Sequence, residues 1–139
     1  VIILDTNVVS ALMDPSPDPG VMKWLDSQQR ESIWITSITV FELQFGLAIL
    51  PEGRKRRLLE SEFRRLIEED LGNRVLEFDA NTASLAAFLA AERQLRGKRG
   101  DIRDTQIAGI VLSRRATLAT RNVKHFDDID ATVVNPWTD

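Results

Sequence analysis

Asp5, Glu42 and Asp104 are the residues of this chain best suited to carry chemistry. Each is a carboxylate in an apolar setting. Asp5 follows VIIL, Glu42 lies within ITVFELQFGLAIL, and Asp104 opens DTQIAGIVL. Burying an unpaired carboxylate is costly, so each needs a partner or a cation. A converging trio would hold one or two divalent ions, each wanting about six oxygens. Such ions polarise a phosphate, activate a water and stabilise the leaving oxygen of an in-line displacement. Without them, three carboxylates would repel an anionic phosphodiester. Helix capping is the competing account for two of the three. TVFE reads as a capping box, with Thr39 as cap and Glu42 at the third position. DIRD lets Asp101 cap a helix and leaves Asp104 in its first turn. Capping does not account for Asp5, nor for the apolar setting that all three share.

Other chemistries lack residues. The one histidine, His125 in NVKHF, reads as structural or simply exposed. Histidine-based zinc sites need more nitrogen ligands than this, and no nucleophile elbow accompanies His125 for a Ser-His-Asp arrangement. The glycines form neither a Walker A loop nor a GxGxxG after a strand. The absence of cysteine excludes disulfides and thiolate metal sites, and suits a reducing cytoplasm. Any metal here should be a hard one, Mg²⁺ or Mn²⁺.

Charge is unevenly placed. Residues 93 to 124 carry nine basic side chains, among them Arg99, Arg103, Arg121 and Lys124, opposed within that span only by Asp101 and Asp104. Arg54, Lys55, Arg56 and Arg57 form a second basic run. Residues 1 to 53 instead hold seven carboxylates against Lys23 and Arg30. An acidic segment beside basic ones is what a metal site facing a polyanion would look like; a solvated face is the alternative. The net charge of −3 is too mild to argue for a partner by itself.

The elements that must position these residues follow from apolar patterning. The 139 residues, 43% of them hydrophobic, suit one domain with one sizeable core. No apolar run approaches the roughly 18 residues of a membrane span, and the short apolar start has no basic leader of the signal-peptide kind. Strands are expected at 1–4, 33–35, 75–78, 117–120 and 132–134. Helices are expected at 7–13, 21–28, from a cap at Ser37 or Thr39 to Leu50, at 54–71, from a cap at Asp79 to about 96, and at 102–115. Short buried strands separated by helices argue for an α/β layer with a mainly parallel sheet. Such sheets bind ligands just beyond the carboxyl ends of their strands. Asp5 lies there on the first strand, and Asn122 lies just past the strand ending at Thr120. Val133, Val134, Pro136 and Trp137 read as a terminal anchor packed on the sheet.

Five segments, ILDTNVVSAL, SITVFELQFGLAIL, GDIRDTQIAGIVL, LATRNVKHF and VVNPW, span nearly the whole chain in order. Together they resemble the PIN-domain family, and within it the VapC-like toxins of bacterial toxin–antitoxin pairs, in their FitB-like branch. The resemblance implies a Rossmann-like sheet of about five short strands and a Mg²⁺- or Mn²⁺-dependent endoribonuclease that hydrolyses RNA with a metal-activated water. It places the metal-binding acidic positions on Asp5, Glu42 and Asp104, and the orienting polar positions on Thr6, Asn7 and Thr120. The family often has a fourth acid where this chain has Asn122, whose amide can still orient water or a phosphate by hydrogen bonds but adds no charge. That departure leaves the second metal position open. The resemblance further implies a homodimer, a small cognate antitoxin whose arm lies over the site, and assembly on operator DNA. Helices 37–50 or 54–71 would then supply the dimer surface, and Arg99, Arg103, Arg121 and Lys124 would hold RNA.

Two readings compete. One is a catalytically weak partner of the same fold in an operator-binding complex, motivated by Asn122. The other is a phosphoaspartyl phosphatase, whose first strand also ends in aspartate. That class expects a second acid two residues on, where this chain has Asn7, and a helper lysine that has no convincing counterpart here.

Overall fold

Ile2–Leu4 carries apolar side chains in succession, as a strand covered on both faces must. In the computed structural model, which describes residues 1–98 and 100–139, this segment is β1, the central strand of a five-stranded sheet. Ile3 and Leu4 point to opposite sides, and each is at most 1% exposed. The chain continues through α1 (Thr6–Leu12), α2 (Pro19–Asp26), β2 (Ile33–Thr36), α3 (Ser37–Ala48) and α4 (Arg54–Arg65). A π-helical turn (Leu66–Asp70), β3 (Val75–Leu76), α5 (Ala80–Leu95) and α6 (Ile102–Arg114) follow. The last elements are β4 (Thr117–Ala119), a 3-10 turn (Val123–Phe126) and β5 (Val133–Val134).

Every strand pair is parallel, in the order β3-β2-β1-β4-β5. The chain steps outward from β1 to β2 and β3, then crosses to the other side for β4 and β5. The order therefore reverses between β1 and β4, and at such a point a crevice opens at the carboxyl ends of the strands. Leu4, Val8, Val9, Val21, Ile35 and Phe63 form the core on one face of the sheet. Ile3, Leu89, Ile107, Ile110, Leu118 and Phe126 form it on the other. The helices α5 and α6 pack so closely that a Cβ on Gly109 would lie 2.8 Å from the Thr82 carbonyl oxygen and 2.9 Å from Ala86 Cβ. Val134 and Trp137 pack on one core and Val133 on the other, as a terminal anchor should.

Several boundaries differ from the expected ones, each for a local reason. The α3 cap is Thr36, whose hydroxyl accepts from the Thr39 N–H at 3.2 Å, so neither Ser37 nor Thr39 serves. The helix α2 starts at Pro19, two residues before the expected Val21, because Asp18 Oδ1 accepts from the N–H groups of Gly20 and Val21 and a proline is well accommodated in the first turn. The expected 54–71 helix widens into the π turn after Arg65. There Arg30 and Arg74 both donate to the Asp70 carbonyl. Finally, β3 ends at Leu76, and Phe78 gives its N–H to Ser37 Oγ instead of a strand partner.

Candidate active site

The polar triplet after β1 is used in full. The Asp5 N–H extends the ladder to the Ala119 carbonyl at 2.9 Å, which places its side chain at the carboxyl end of the sheet, only 3% exposed. Oδ1 accepts from the Thr6 N–H at 2.8 Å, so Asp5 also starts α1, a capping role that the sequence had not suggested. Oδ2 accepts from Thr120 Oγ1 at 2.7 Å. Asn7 Nδ2 reaches Thr120 Oγ1 at 3.2 Å and Asp5 Oδ2 at 3.4 Å, while its Oδ1 accepts from the Arg121 N–H at 3.1 Å. Asn7 thus spans the gap between β1 and the segment after β4.

Thr6 faces the other way. Its hydroxyl donates to Glu42 Oε1 at 2.9 Å and lies 2.9 Å from Thr39 Oγ1. A hydroxyl has one proton, so Thr39 must donate to Thr6, and Thr36 in turn donates to Thr39 at 3.5 Å. The three hydroxyl protons therefore point in sequence toward the Glu42 carboxylate. This arrangement corrects the capping-box reading of Thr39 and Glu42. Thr39 is a buried member of this chain of hydroxyls, and Glu42 turns toward the rim.

Asp104 lies in the first turn of α6 and is partly buried. Asp101 caps that helix through the Arg103 N–H at 2.7 Å, as expected. The Arg103 guanidinium stands 3.9 Å from Glu42 Oε2. His125 Nδ1 meets Asp104 Oδ2 at 3.1 Å. Sequence reasoning missed this contact and the part played by Thr39. A lone histidine gives no sign of a partner 21 residues earlier.

Burial dominates the electrostatics of Asp5 and pushes its carboxyl up to about 6. The hydrogen bonds from Thr120 and Thr6 pull the other way, and the negative charges of Asp104 and Glu42 raise it further. The three acids therefore share one electrostatic rim. Among the described residues, no group of three acidic or histidine side chains closes on an ion as they stand. An open, all-oxygen rim of this kind suits Mg²⁺, which takes one or two carboxylates and keeps several waters. The donor set fits such a cation, and Asp5 lacks a compensating charge without one.

The remaining expected residues are spread around the rim. Asn122 reaches it through its backbone N–H, 3.0 Å from Thr120 Oγ1, with its own side chain exposed. The Arg121 guanidinium lies 4.9 Å over the Trp137 ring. Lys124 is exposed on the 3-10 turn. Arg99 lies outside the described residues. The basic span is less free than its composition suggests. Arg93 is buried against Asp128, and Arg96 and Lys98 also pair with Asp128, an acid outside the span.

The sequence profile of the PIN domain family matches residues 2–131. The chain is similar to Toxin FitB of Neisseria gonorrhoeae, with 36% identity over 138 residues covering 99% of each chain. It is similar to VapC ribonuclease Y4jK of Sinorhizobium fredii, with 35% identity over 136 residues covering 98% of this chain and 97% of that one. Among solved structures it is similar to FitAcB from Neisseria gonorrhoeae, with a TM-score of 0.89, 35% identity and 99% of each chain covered. FitAB bound to an IR36 DNA fragment is similar too, with a TM-score of 0.88, 34% identity, and 99% of this chain and 96% of that one covered.

Proposed function

The chain belongs to the PIN domain family, and we propose that it is a toxin ribonuclease of the VapC and FitB kind, with residues 1–139 forming one such domain. The observation that carries this reading is the buried carboxyl of Asp5, at the reversal point of the sheet, raised by that burial and further by the negative charges of Asp104 and Glu42. The cofactor is Mg²⁺ or Mn²⁺, held by Asp5, Asp104 and Glu42. When bound, such an ion supplies Lewis-acid polarisation of the phosphodiester and lowers the pKa of water.

The chain's own residues do the positioning. Thr120 and the Thr6 N–H fix both oxygens of Asp5. Thr6 fixes Glu42, and His125 contacts Asp104. Asn7 locks the segment after β4 to the start of α1. The Asn122 amide is exposed where a phosphate oxygen would pass. Arg103, Arg121, Lys124 and Arg99 hold the flanking phosphates, whose neutralisation gives most of the affinity for RNA.

Partners follow from the kinship. FitAB has been solved on DNA, and the present chain is assigned a cognate antitoxin and, with it, operator DNA. It also forms a homodimer. Phe41 and Phe45 of α3 and Ile49, which caps it, are each at least 52% exposed, with the two phenylalanine rings stacked. This supports α3, rather than α4, as the dimer surface. Among the described residues no helix is long and apolar enough to cross a membrane, and we place the chain in the cytoplasm with its RNA.

A second reading keeps the fold but weakens the site, as a partner in operator binding. Asn122, where the family often has an acid, favours it. Cleavage of end-labelled single-stranded and structured RNA in Mg²⁺, Mn²⁺ or EDTA decides between them. Metal-dependent cleavage supports the ribonuclease. DNA-bound complexes without cleavage in any metal would support the second reading.

A further inference from the structure

Arg93 lies on α5, which contributes no acid to the site, yet its guanidinium is only 3% exposed. It makes four hydrogen bonds. Nε and Nη2 grip the two Asp128 carboxylate oxygens at 2.8 and 2.7 Å. Nη1 donates to Thr105 Oγ1 at 2.9 Å, and Nη2 also donates to the His125 carbonyl at 3.0 Å. Two of these contacts bear directly on Asp104. Thr105 is the next residue in the first turn of α6, and His125 is the residue whose ring meets Asp104 Oδ2. Asp128 anchors the arrangement, and Arg93 beside it holds its carboxyl well below the ordinary range. A planar fork of five donors can join three segments in this way, whereas an ammonium cannot.

We infer that Arg93, clasped by Asp128, is a positioning residue that sets the His125–Asp104 contact and so the aim of the Asp104 carboxylate. The inference rests on the ribonuclease reading for its effect on turnover, but not for its effect on geometry. A purely stabilising ion pair would loosen the whole fold when weakened. A positioning pair moves this one contact first.

His125 is the only histidine, so its ring protons give an unambiguous NMR signal at fixed pH without metal or substrate. Arg93→Lys and Asp128→Asn are compared with the wild type and with Leu71→Ala, a buried change at the end of the π turn. Activity is read on a fluorophore-quenched RNA oligonucleotide of mixed sequence in Mg²⁺. In both clasp variants the His125 ring signals should move and kcat should fall at least about tenfold, with KM within about twofold. Leu71→Ala should lower the melting temperature while leaving the ring signals and kcat in place. If Arg93→Lys does not fold, Asp128→Asn decides alone. Unmoved ring signals in the folded clasp variants overturn the inference. So does an unchanged kcat, or an equal movement in Leu71→Ala. A wild type that cleaves no RNA sinks the ribonuclease reading instead, and the ring signals still decide the geometry.

Discussion

Thr120 Oγ1 donates to Asp5 Oδ2 at 2.7 Å, a bond between residues 115 apart in sequence that joins the ends of β1 and β4. It lies where the strand order reverses, and it shows how this fold holds an acid at the bottom of a crevice. The bond favours the carboxylate, burial disfavours it, and burial wins, with the carboxyl raised to about 6.

That balance predicts an unusual pH dependence. The folded-state value lies above the ordinary 3.8, so folding favours the protonated acid. The associated stability is fully present below about pH 4 and is lost as pH rises through about 6, a change of about 3 kcal/mol. Denaturant melts without metal should show this loss in the wild type and not in Asp5→Asn. Mg²⁺ should restore stability at pH 7.5 to the wild type and give the variant little. A wild-type profile matching that of Asp5→Asn would mean that Asp5 is not strained.

Thr120→Val removes the donor while keeping the shape. Asp5 then loses its shortest bond, and stability at neutral pH should fall by about 1–3 kcal/mol. Thr120→Ser should recover most of it. A Thr120→Val variant as stable as the wild type at neutral pH would show that the hydroxyl bond contributes nothing.

Much of this was legible in the sequence. Five buried strands alternating with helices required a parallel sheet, and an aspartate directly after the first strand required a place at its carboxyl end. Asp5, Glu42 and Asp104 stood out because each interrupts a run of apolar residues, although only Asp5 is fully buried and Phe41 and Phe45 beside Glu42 face solvent. What the sequence hid was long-range pairing. Nothing local distinguishes Thr39 as a link in a chain of hydroxyls from Thr39 as a cap, and only the β2–α3 geometry decides. The basic face was overestimated because Asp128, which neutralises Arg93, lies outside the basic span. The start of α2 was placed two residues late because apolar periodicity begins at Val21, whereas the cap is Asp18 and Pro19 is the first helical residue.

RNA affinity offers a test of the basic rim. Arg103→Gln and Lys124→Gln should each flatten the slope of log affinity against log salt by roughly 0.7 for single strands. Arg93→Lys, with its charge buried, should leave that slope unchanged. Fluorescence anisotropy across a salt series measures all three. An unchanged slope in the first two would move the RNA path toward residues 54–57.

Gly109→Ala probes the packing behind the site. Its Cβ would be forced against the Thr82 carbonyl and Ala86, separating α5 from α6. Overpacking of this kind costs about 1–3 kcal/mol, or roughly 3–10 °C in melting temperature. A variant that melts with the wild type would show that the two helices separate at no cost.

The central claim is that Asp5, Glu42 and Asp104 act together on RNA through a divalent ion. The most direct measurement is single-turnover cleavage of a labelled RNA by the wild type, Asp5→Asn, Glu42→Gln and Asp104→Asn, each first in EDTA and then in Mg²⁺. The wild type should cleave only in Mg²⁺, and each variant should be slower by at least about 100-fold, close to 2.7 kcal/mol of barrier, while remaining folded. Cleavage by the wild type in EDTA, or wild-type rates from any one of the three variants in Mg²⁺, would contradict the account.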